Sequence, residues 1–397
     1  MMNKEQIWSL ARSVHPYGIE VRRHLHRHPE LSFAEHETHR YLAERLSELG
    51  YSFEAGLGGG TGIKAVLECG KPGPTVALRA DIDALPILEE TGLEFASEHP
   101  GLMHACGHDV HTAILLATAR ALKEKQADLA GRVVLLFQPG EEQNPGGASL
   151  MIRDGCLENP KVDAIFGLHV MPFLETGAMG FGSGALMASP DEVEVTVVGK
   201  GGHGAAPHLT VDPVLTACQI ITLLQQVVSR NVGPFQPAVI TVGVIQGGTA
   251  PNVIPDEVHF KATVRTMDPE VRKLMPERIE AVVKGVCEAA GATYKFLYDP
   301  GYPVLINDEA MTQLARRAAL AVLEPGKVQG MEPSMGGEDF AYYLEKVPGT
   351  FARLGAMRPG TEKPYGLHTS KLLIDEEAIA VGVAYYLSVV QEYLSSR

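Results

Sequence analysis

The chain has 397 residues, 45% hydrophobic and 21% charged, a composition of soluble globular proteins and a length that makes two domains the natural expectation. A formal net charge of −14 speaks against nonspecific binding to nucleic acid or anionic membrane. The same charge means that a small anionic substrate needs local attraction, from metal ions or an arginine.

The first half alternates strand-like and helix-like segments. GPTVALRAD (73–81) is a β-rich run ending in carboxylates, GRVVLLFQPGEE (131–142) is a second and VDAIFGLHV (162–170) a third. Between the first two, residues 109–125 have helical length with no Pro or Gly, and Asp109 is the expected N-cap. GGASLMIRDGCL predicts a short helix closed by Gly155. Continuous apolar strands separated by helices predict a mostly parallel sheet covered on both faces.

From about residue 188 the pattern changes. DEVEVTVVG alternates as a half-exposed strand, a helix follows over about 211–230, and AVITVGVIQGG and DEVHFKATVRT are the next two strands. A helix over about 269–290 and the strand TYKFLYD complete a β-α-β-β-α-β order, that of a ferredoxin-like unit. Helix (NDEAMTQLARRAALAVL), strand (TFARLGA) and C-terminal helix (EEAIAVGVAYYLSVVQEYL) close the chain. The expected architecture is one α/β domain, residues 1–187 and 301–397, interrupted by an inserted α+β domain, 188–300. Five scattered cysteines without C-x-x-C spacing, no run able to span a bilayer and a start unlike a signal peptide point to a reducing cytoplasm.

MHACGHDVH (103–111) crowds a thiol, three imidazoles and a carboxylate before an apolar helix. In an extended loop Cys106 and His108 would share one side and form a metal half-site; the plainer reading is a structural cysteine beside capping histidines. Glu141 and Glu142 follow the carboxyl end of a buried strand, where open α/β sheets bind ligands. Adjacent carboxylates there need a cation or a shared proton, unless they form a solvated turn. His169 finishes an otherwise apolar strand, and His368 alone reads as a surface residue. Arg265 on KATVRT is the best partner for a substrate carboxylate, or else an exposed strand arginine. Asp81, Asp83 and Asp109 suit the orientation of a ligating histidine. His24, His26 and His28 read as surface or packing residues, and Glu338 and Asp339 of GGEDF as neighbours of the site.

RRHLHRHPELSFAEHET, ALRADIDALPI, MHACGHDVHTA, FQPGEE, GLHV, GKGGHGAAPH, GGTAPNVIPDEV, GGEDFAYY and GLHTSKL occur in this order along nearly the whole chain. The set resembles the bacterial N-acyl-amino-acid amidohydrolases, the group of hippurate hydrolase and the plant indole-acetyl-amino-acid hydrolases, within the binuclear aminoacylase–carboxypeptidase metallopeptidases. The resemblance implies a zinc-peptidase-like catalytic domain with an inserted lid, through which relatives often dimerise; whether this chain forms a homodimer or homotetramer is open. It implies Cys106, His108, Glu142, His169 and His368 as metal ligands and Glu141 as catalytic carboxylate, with His203 and Asn252 as donors to the reacting oxyanion. Five ligands are too many for one catalytic ion, so two divalent ions, zinc or manganese with nickel or cobalt as alternatives, would share one ligand and activate water. The expected reaction is hydrolysis of N-acyl-L-amino acids. The alternatives are a dipeptidase or carboxypeptidase on the same centre, a hydrolase with Cys106 as nucleophile, and a non-catalytic binding protein.

Overall fold

Four apolar runs without a polar face form the parallel centre of a sheet. In the computed structural model, which describes residues 2–395, the strands Ala130–Gln138, Lys71–Asp81, Ala164–Glu175 and Gly349–Met357 lie side by side in that order, all parallel. Gly62–Glu68 and Ser52–Leu57 extend one edge antiparallel, and Met179–Phe181 with Val328–Gly330 the other, for eight strands in all. Every residue from Val133 to Gln138 is buried, so both faces are covered and the strand needs no alternation. Helices His108–Lys125 and Glu377–Ser395 pack on the sheet and against helix Lys4–Arg27. One core joins Val110, Ile114, Leu135, Phe166, Tyr385 and Val389. This is the mixed, mostly parallel α/β class that the sequence pattern predicts.

The chain divides into two compact units. The first comprises the described residues of Met1–Gly184, Ile306–Glu332 and Asp339–Arg397, and the second Ala185–Leu305 with Pro333–Glu338. In the second, Ala238–Gln246, Glu257–Thr266, Ser189–Val198 and Thr293–Asp299 form an antiparallel sheet in that order, the ferredoxin-like arrangement. Helices Pro213–Asn231 and Pro269–Ala290 cover one face, burying Val193, Val195, Ile220, Leu224, Phe260 and Ile279. Ser189–Val198 accordingly alternates between buried and more exposed positions. No helix among the described residues is long and apolar enough to cross a membrane. All five cysteines are unpaired, and only Cys218 is exposed.

One helix start corrects the sequence reading. The N-cap of His108–Lys125 is Gly107, with φ of 88°, and Asp109 caps nothing. A Cβ at Gly107 would lie 2.5 Å from Val170 and 2.8 Å from Ile374, so the position needs both the left-handed conformation and the missing side chain. Asp109 points instead toward the first helix, where its Oδ2 accepts from His26 Nδ1 at 2.9 Å and from Arg22 Nε at 3.3 Å. The three histidines of RRHLHRHPE therefore separate. His24 stacks on Tyr41 at 4.0 Å, His28 bonds its own helix, and His26 is buried between Asp109 and Glu89, 3.2 Å from the latter.

Burial disfavours a charge on His26, but the bond to Asp109, its field and the Glu89 contact prevail and push the imidazole up to about 9. A folded-state pKa above the ordinary 6.5 stabilises fully below 6.5, and the contribution disappears as pH rises through about 9. Thermal melts should show a His26→Gln variant several degrees below wild type at mildly acidic pH, with the gap closing across that window. A gap constant with pH would remove the ion pair from the account of stability.

Candidate metal centre

Most of the candidate ligands follow the carboxyl ends of the parallel strands, while His169 lies inside its strand, which continues to Glu175 rather than ending at the histidine. Lys71–Asp81 leads to Asp81 and Asp83, Ala130–Gln138 to Glu141 and Glu142, and Ala164–Glu175 carries His169. Cys106 and His108 do not converge by extended alternation, because His108 already opens the helix. The left-handed turn at Gly107 between them does the work instead. His368, in the loop before the last helix, also has a left-handed φ of 61°, unusual for a non-glycine, and its N–H donates to Ala105 O at 2.7 Å.

Donor atoms of Cys106, His108 and His169 lie within 4.8 Å of one another, as do those of Cys106, Glu142 and His368, and those of His108, Glu141 and Glu142. Hydrogen bonding assigns the tautomers. His169 Nδ1 donates to Val170 O at 2.8 Å, which leaves a lone pair on Nε2, 3.3 Å from Cys106 Sγ. His108 Nδ1 faces the carbonyl oxygen of Asp83 at 2.9 Å and its Oδ1 at 3.1 Å, so Nε2 is the nitrogen that presents a lone pair once the ring is neutral. That Nε2 is buried without a hydrogen-bond partner, and so is Glu142 Oε1, although His368 Nε2 stands only 3.2 Å from it. Buried polar atoms that approach one another without bonding are aimed at a common missing partner.

The electrostatics identify its sign. Burial, then the carboxylates of Glu142, Glu141 and Asp81, hold the Cys106 thiol well above its ordinary range. At His108 burial works against the charge, but Asp81, Asp83 and Glu142 push the imidazole up to about 10. His169, buried beside His111 and His108, is driven well below its ordinary value. A thiol, imidazole nitrogens and a carboxylate in a buried negative field form the donor set of a borderline-soft divalent cation such as zinc.

A layer of buried polar groups supports these side chains. Asp83 Oδ2 accepts from Glu142 N at 3.0 Å and from the Ser32 hydroxyl at 2.7 Å. Asp81 Oδ1 takes His111 Nδ1 at 2.6 Å, and His111 Nε2 accepts from Val170 N at 2.9 Å, next to His169. Arg79 donates to Asp81 at 2.6 Å, Asp339 at 2.7 Å and Gln138 at 2.8 Å. Asp81 and Asp83 thus do what the sequence suggests. Asp109, bonded to His26 and Arg22, orients none of the candidate ligands through its carboxylate. His111 was legible from its i,i+3 spacing to His108 on one helix face. Arg79, Gln138 and Ser32 carry no such local signal.

His203, Asn252 and Arg265 belong to the second unit. His203 and Asn252 are exposed neighbours, with His203 paired to Val253 in a two-stranded ribbon and Gly204 N donating to Asn252 O at 2.8 Å. Arg265 is half-buried near the other end of the Glu257–Thr266 strand, opposite Pro190. At about 3.3 Å per residue the eight steps from Glu257 put Arg265 about 26 Å away from that end. The structure brings the first two together and keeps the third apart.

A family model described as peptidase family M20/M25/M40 matches residues 77–392. The chain belongs to this family. N-acetyl-L-cysteine deacetylase of Bacillus subtilis is 46% identical over 373 residues, 93% of this chain and 86% of that protein. An N-acyl-L-amino acid amidohydrolase of Geobacillus stearothermophilus is 46% identical over 306 residues, 77% of this chain and 82% of that protein. Among solved structures, a Bacillus subtilis protein described as a dinuclear metal binding peptidase of the M20 family matches with a TM-score of 0.83 and 38% identity, covering 97% of this chain and 100% of that one.

Because the Cys106 thiol and the His108 imidazolium must lose protons to ligate, metal uptake should release protons and tighten with rising pH. Competition against a chelating dye between about pH 6 and about pH 8 should show apparent affinity climbing at least about tenfold per pH unit. Affinity independent of pH would exclude these two groups as ligands.

Proposed function

We propose that the chain is a metal-dependent amidohydrolase that cleaves N-acyl-L-amino acids to a carboxylic acid and a free amino acid. The observation that carries this reading is two donor triplets sharing Cys106, beside a buried carboxylate, Glu141, that belongs to neither. Cys106, His108 and His169 would hold one divalent ion and Cys106, Glu142 and His368 a second, zinc or manganese before nickel or cobalt. Five groups would then suffice to hold two ions and leave each room for water or substrate. Such a pair, when bound, supplies water acidic enough to lose a proton near neutral pH and polarises the amide carbonyl.

Glu141 then accepts the water proton and returns it to the departing amine. The Glu142 N–H bond to Asp83 fixes the chain on which Glu141 is carried. Residues 1–187 and 301–397 supply this chemistry, and 188–300 act as the lid that grips the substrate. Arg265 pairs with the substrate's α-carboxylate, which answers how a chain of net charge −14 captures an anion. His203 and Asn252 donate to the developing oxyanion. A small amide cannot reach both ends of the Glu257–Thr266 strand, so Arg265 and the His203–Asn252 pair come from two copies of a homodimer. The N-acyl amino acid class follows the relatives named deacetylase and amidohydrolase. A carboxypeptidase or dipeptidase would use the same centre, and a screen of acetyl, benzoyl and longer acyl amino acids against dipeptides separates them. A Cys106 nucleophile is disfavoured because burial and its carboxylate neighbours keep the thiol protonated. Five unpaired cysteines suit the reducing cytoplasm.

Glu141→Ala should keep two ions per chain by elemental analysis and lose about 10²–10⁴-fold in kcat. Wild-type turnover in that variant would end the general-base assignment. Stripping the metal should abolish hydrolysis and adding it back restore it. Two inactive variants, His203→Ala and Arg265→Ala, should regain activity when their subunits are mixed and reassociated. Mixtures that stay inactive would return all three residues to a single chain or deny them a role.

A further inference from the structure

The segment PELSFAEHET supplies none of the candidate metal ligands; its Ser32 bonds Asp83. It connects helix Lys4–Arg27 to helix His36–Glu48. A connection of this kind has no need of a buried acid, yet Glu35 is completely buried. Its Oε1 accepts the Gly140 N–H at 2.9 Å, and its Oε2 the Thr61 hydroxyl at 2.7 Å. Gly140 immediately precedes Glu141 and adopts φ of 60°. The Phe33 ring covers it so closely that a Cβ there would stand 2.4 Å from two ring carbons. Phe33 itself has φ of 63°, a conformation that costs a bulky residue and persists only where the surroundings impose it. Ser32 donates to the same Asp83 oxygen that receives the Glu142 N–H. Three neighbouring residues thus hold the Glu141–Glu142 turn from outside the ligand set.

We propose that Glu35, assisted by Phe33 and Ser32, is the positioning residue for Glu141: it fixes the turn at Gly140 and so aims the carboxylate that moves the proton. This inference rests on the proposed role of Glu141. Glu35 needs to accept one hydrogen bond from the turn and to share one with Thr61, and neither contact demands a charge. Burial, helped by the charge of Asp83, raises its carboxyl to about 7 against the pull of the Thr61 bond, so the neutral form is within reach. An amide can make both contacts, with its oxygen toward Gly140 and its nitrogen toward Thr61.

The test compares Glu35→Ala, Glu35→Gln, Ser32→Ala and Glu141→Ala in the metal-loaded full chain, reading kcat, KM, metal content and Tm. A displaced general base costs about 10²-fold, so Glu35→Ala should lose about that much kcat with KM and bound metal unchanged, and Glu35→Gln should recover to within about threefold of wild type. Ser32→Ala, at a half-buried position, should fold normally and lose a smaller part of kcat. Wild-type kcat per bound metal pair in Glu35→Ala, or a glutamine variant as impaired as the alanine one, overturns the proposal. If Glu35→Ala does not fold, unchanged kcat in Ser32→Ala overturns it, and a lowered kcat there with recovery in Glu35→Gln supports it. Glu141→Ala separates the two readings. Wild-type turnover in that variant brings down the functional assignment itself, whereas an inactive Glu141→Ala beside fully active Glu35→Ala and Ser32→Ala brings down positioning alone.

Discussion

Asp83 is completely buried, and its two oxygens collect His108 Nδ1, the backbone N–H of Glu142 and the hydroxyl of Ser32. Burial by itself would neutralise such a carboxyl, but the His108 bond and charge, with the Glu142 and Ser32 bonds, keep it below its ordinary range. A buried charge lacking these donors costs several kcal/mol, so the three segments are stabilised only when they meet at this one group. That meeting decides which nitrogen His108 turns outward and where the acidic turn begins. The rest of the site is built around it.

Behind Asp83 the same logic repeats with alternating charge. Arg79 is buried between Asp81 and Asp339, and Asp81 passes the constraint to His111, which supports the backbone beside His169. Each carboxylate takes at least one donor from another element, so the network ties helix to strand and strand to loop. The outermost layer, with Cys106, Glu142 and the imidazole nitrogens, is where protein donors run out. The negative field there, from Asp81 and Glu142 among others, is strong enough to hold His108 as an imidazolium and, with burial, Cys106 as a thiol. The geometry calls for positive charge from outside the polypeptide.

Much of this was visible in the sequence, for reasons that differ by element. TYKFLYD occupies Thr293–Asp299, and the helix over 269–290 is Pro269–Ala290, because alternation and an Asp-Pro start are local signals. The sheet class followed from runs with no polar face. Asp109 misled because a capping side chain and a first-turn carboxylate look alike in sequence, and the glycine that actually caps leaves only a positive φ as its mark. Cys106, His108, Glu141 and Glu142 stand at element ends, where polarity interrupts an apolar pattern, whereas His169, expected to finish its strand, lies within Ala164–Glu175, which runs on for six residues. His368 had only its resemblance. Ser32, Glu35 and Arg79 act through partners 51, 105 and 260 positions away, and no local pattern encodes such pairings. The separation of Arg265 from His203 depends on strand register, which composition does not express.

The distribution of thiols has a practical side. Cys106, Cys156 and Cys287 are buried and Cys69 is partly covered, whereas Cys218 stands exposed on helix Pro213–Asn231. A maleimide dye would therefore couple first to this place in the second unit and leave the buried Cys106 of the first untouched. The native chain thus carries its own attachment point for a fluorescent reporter on the second unit.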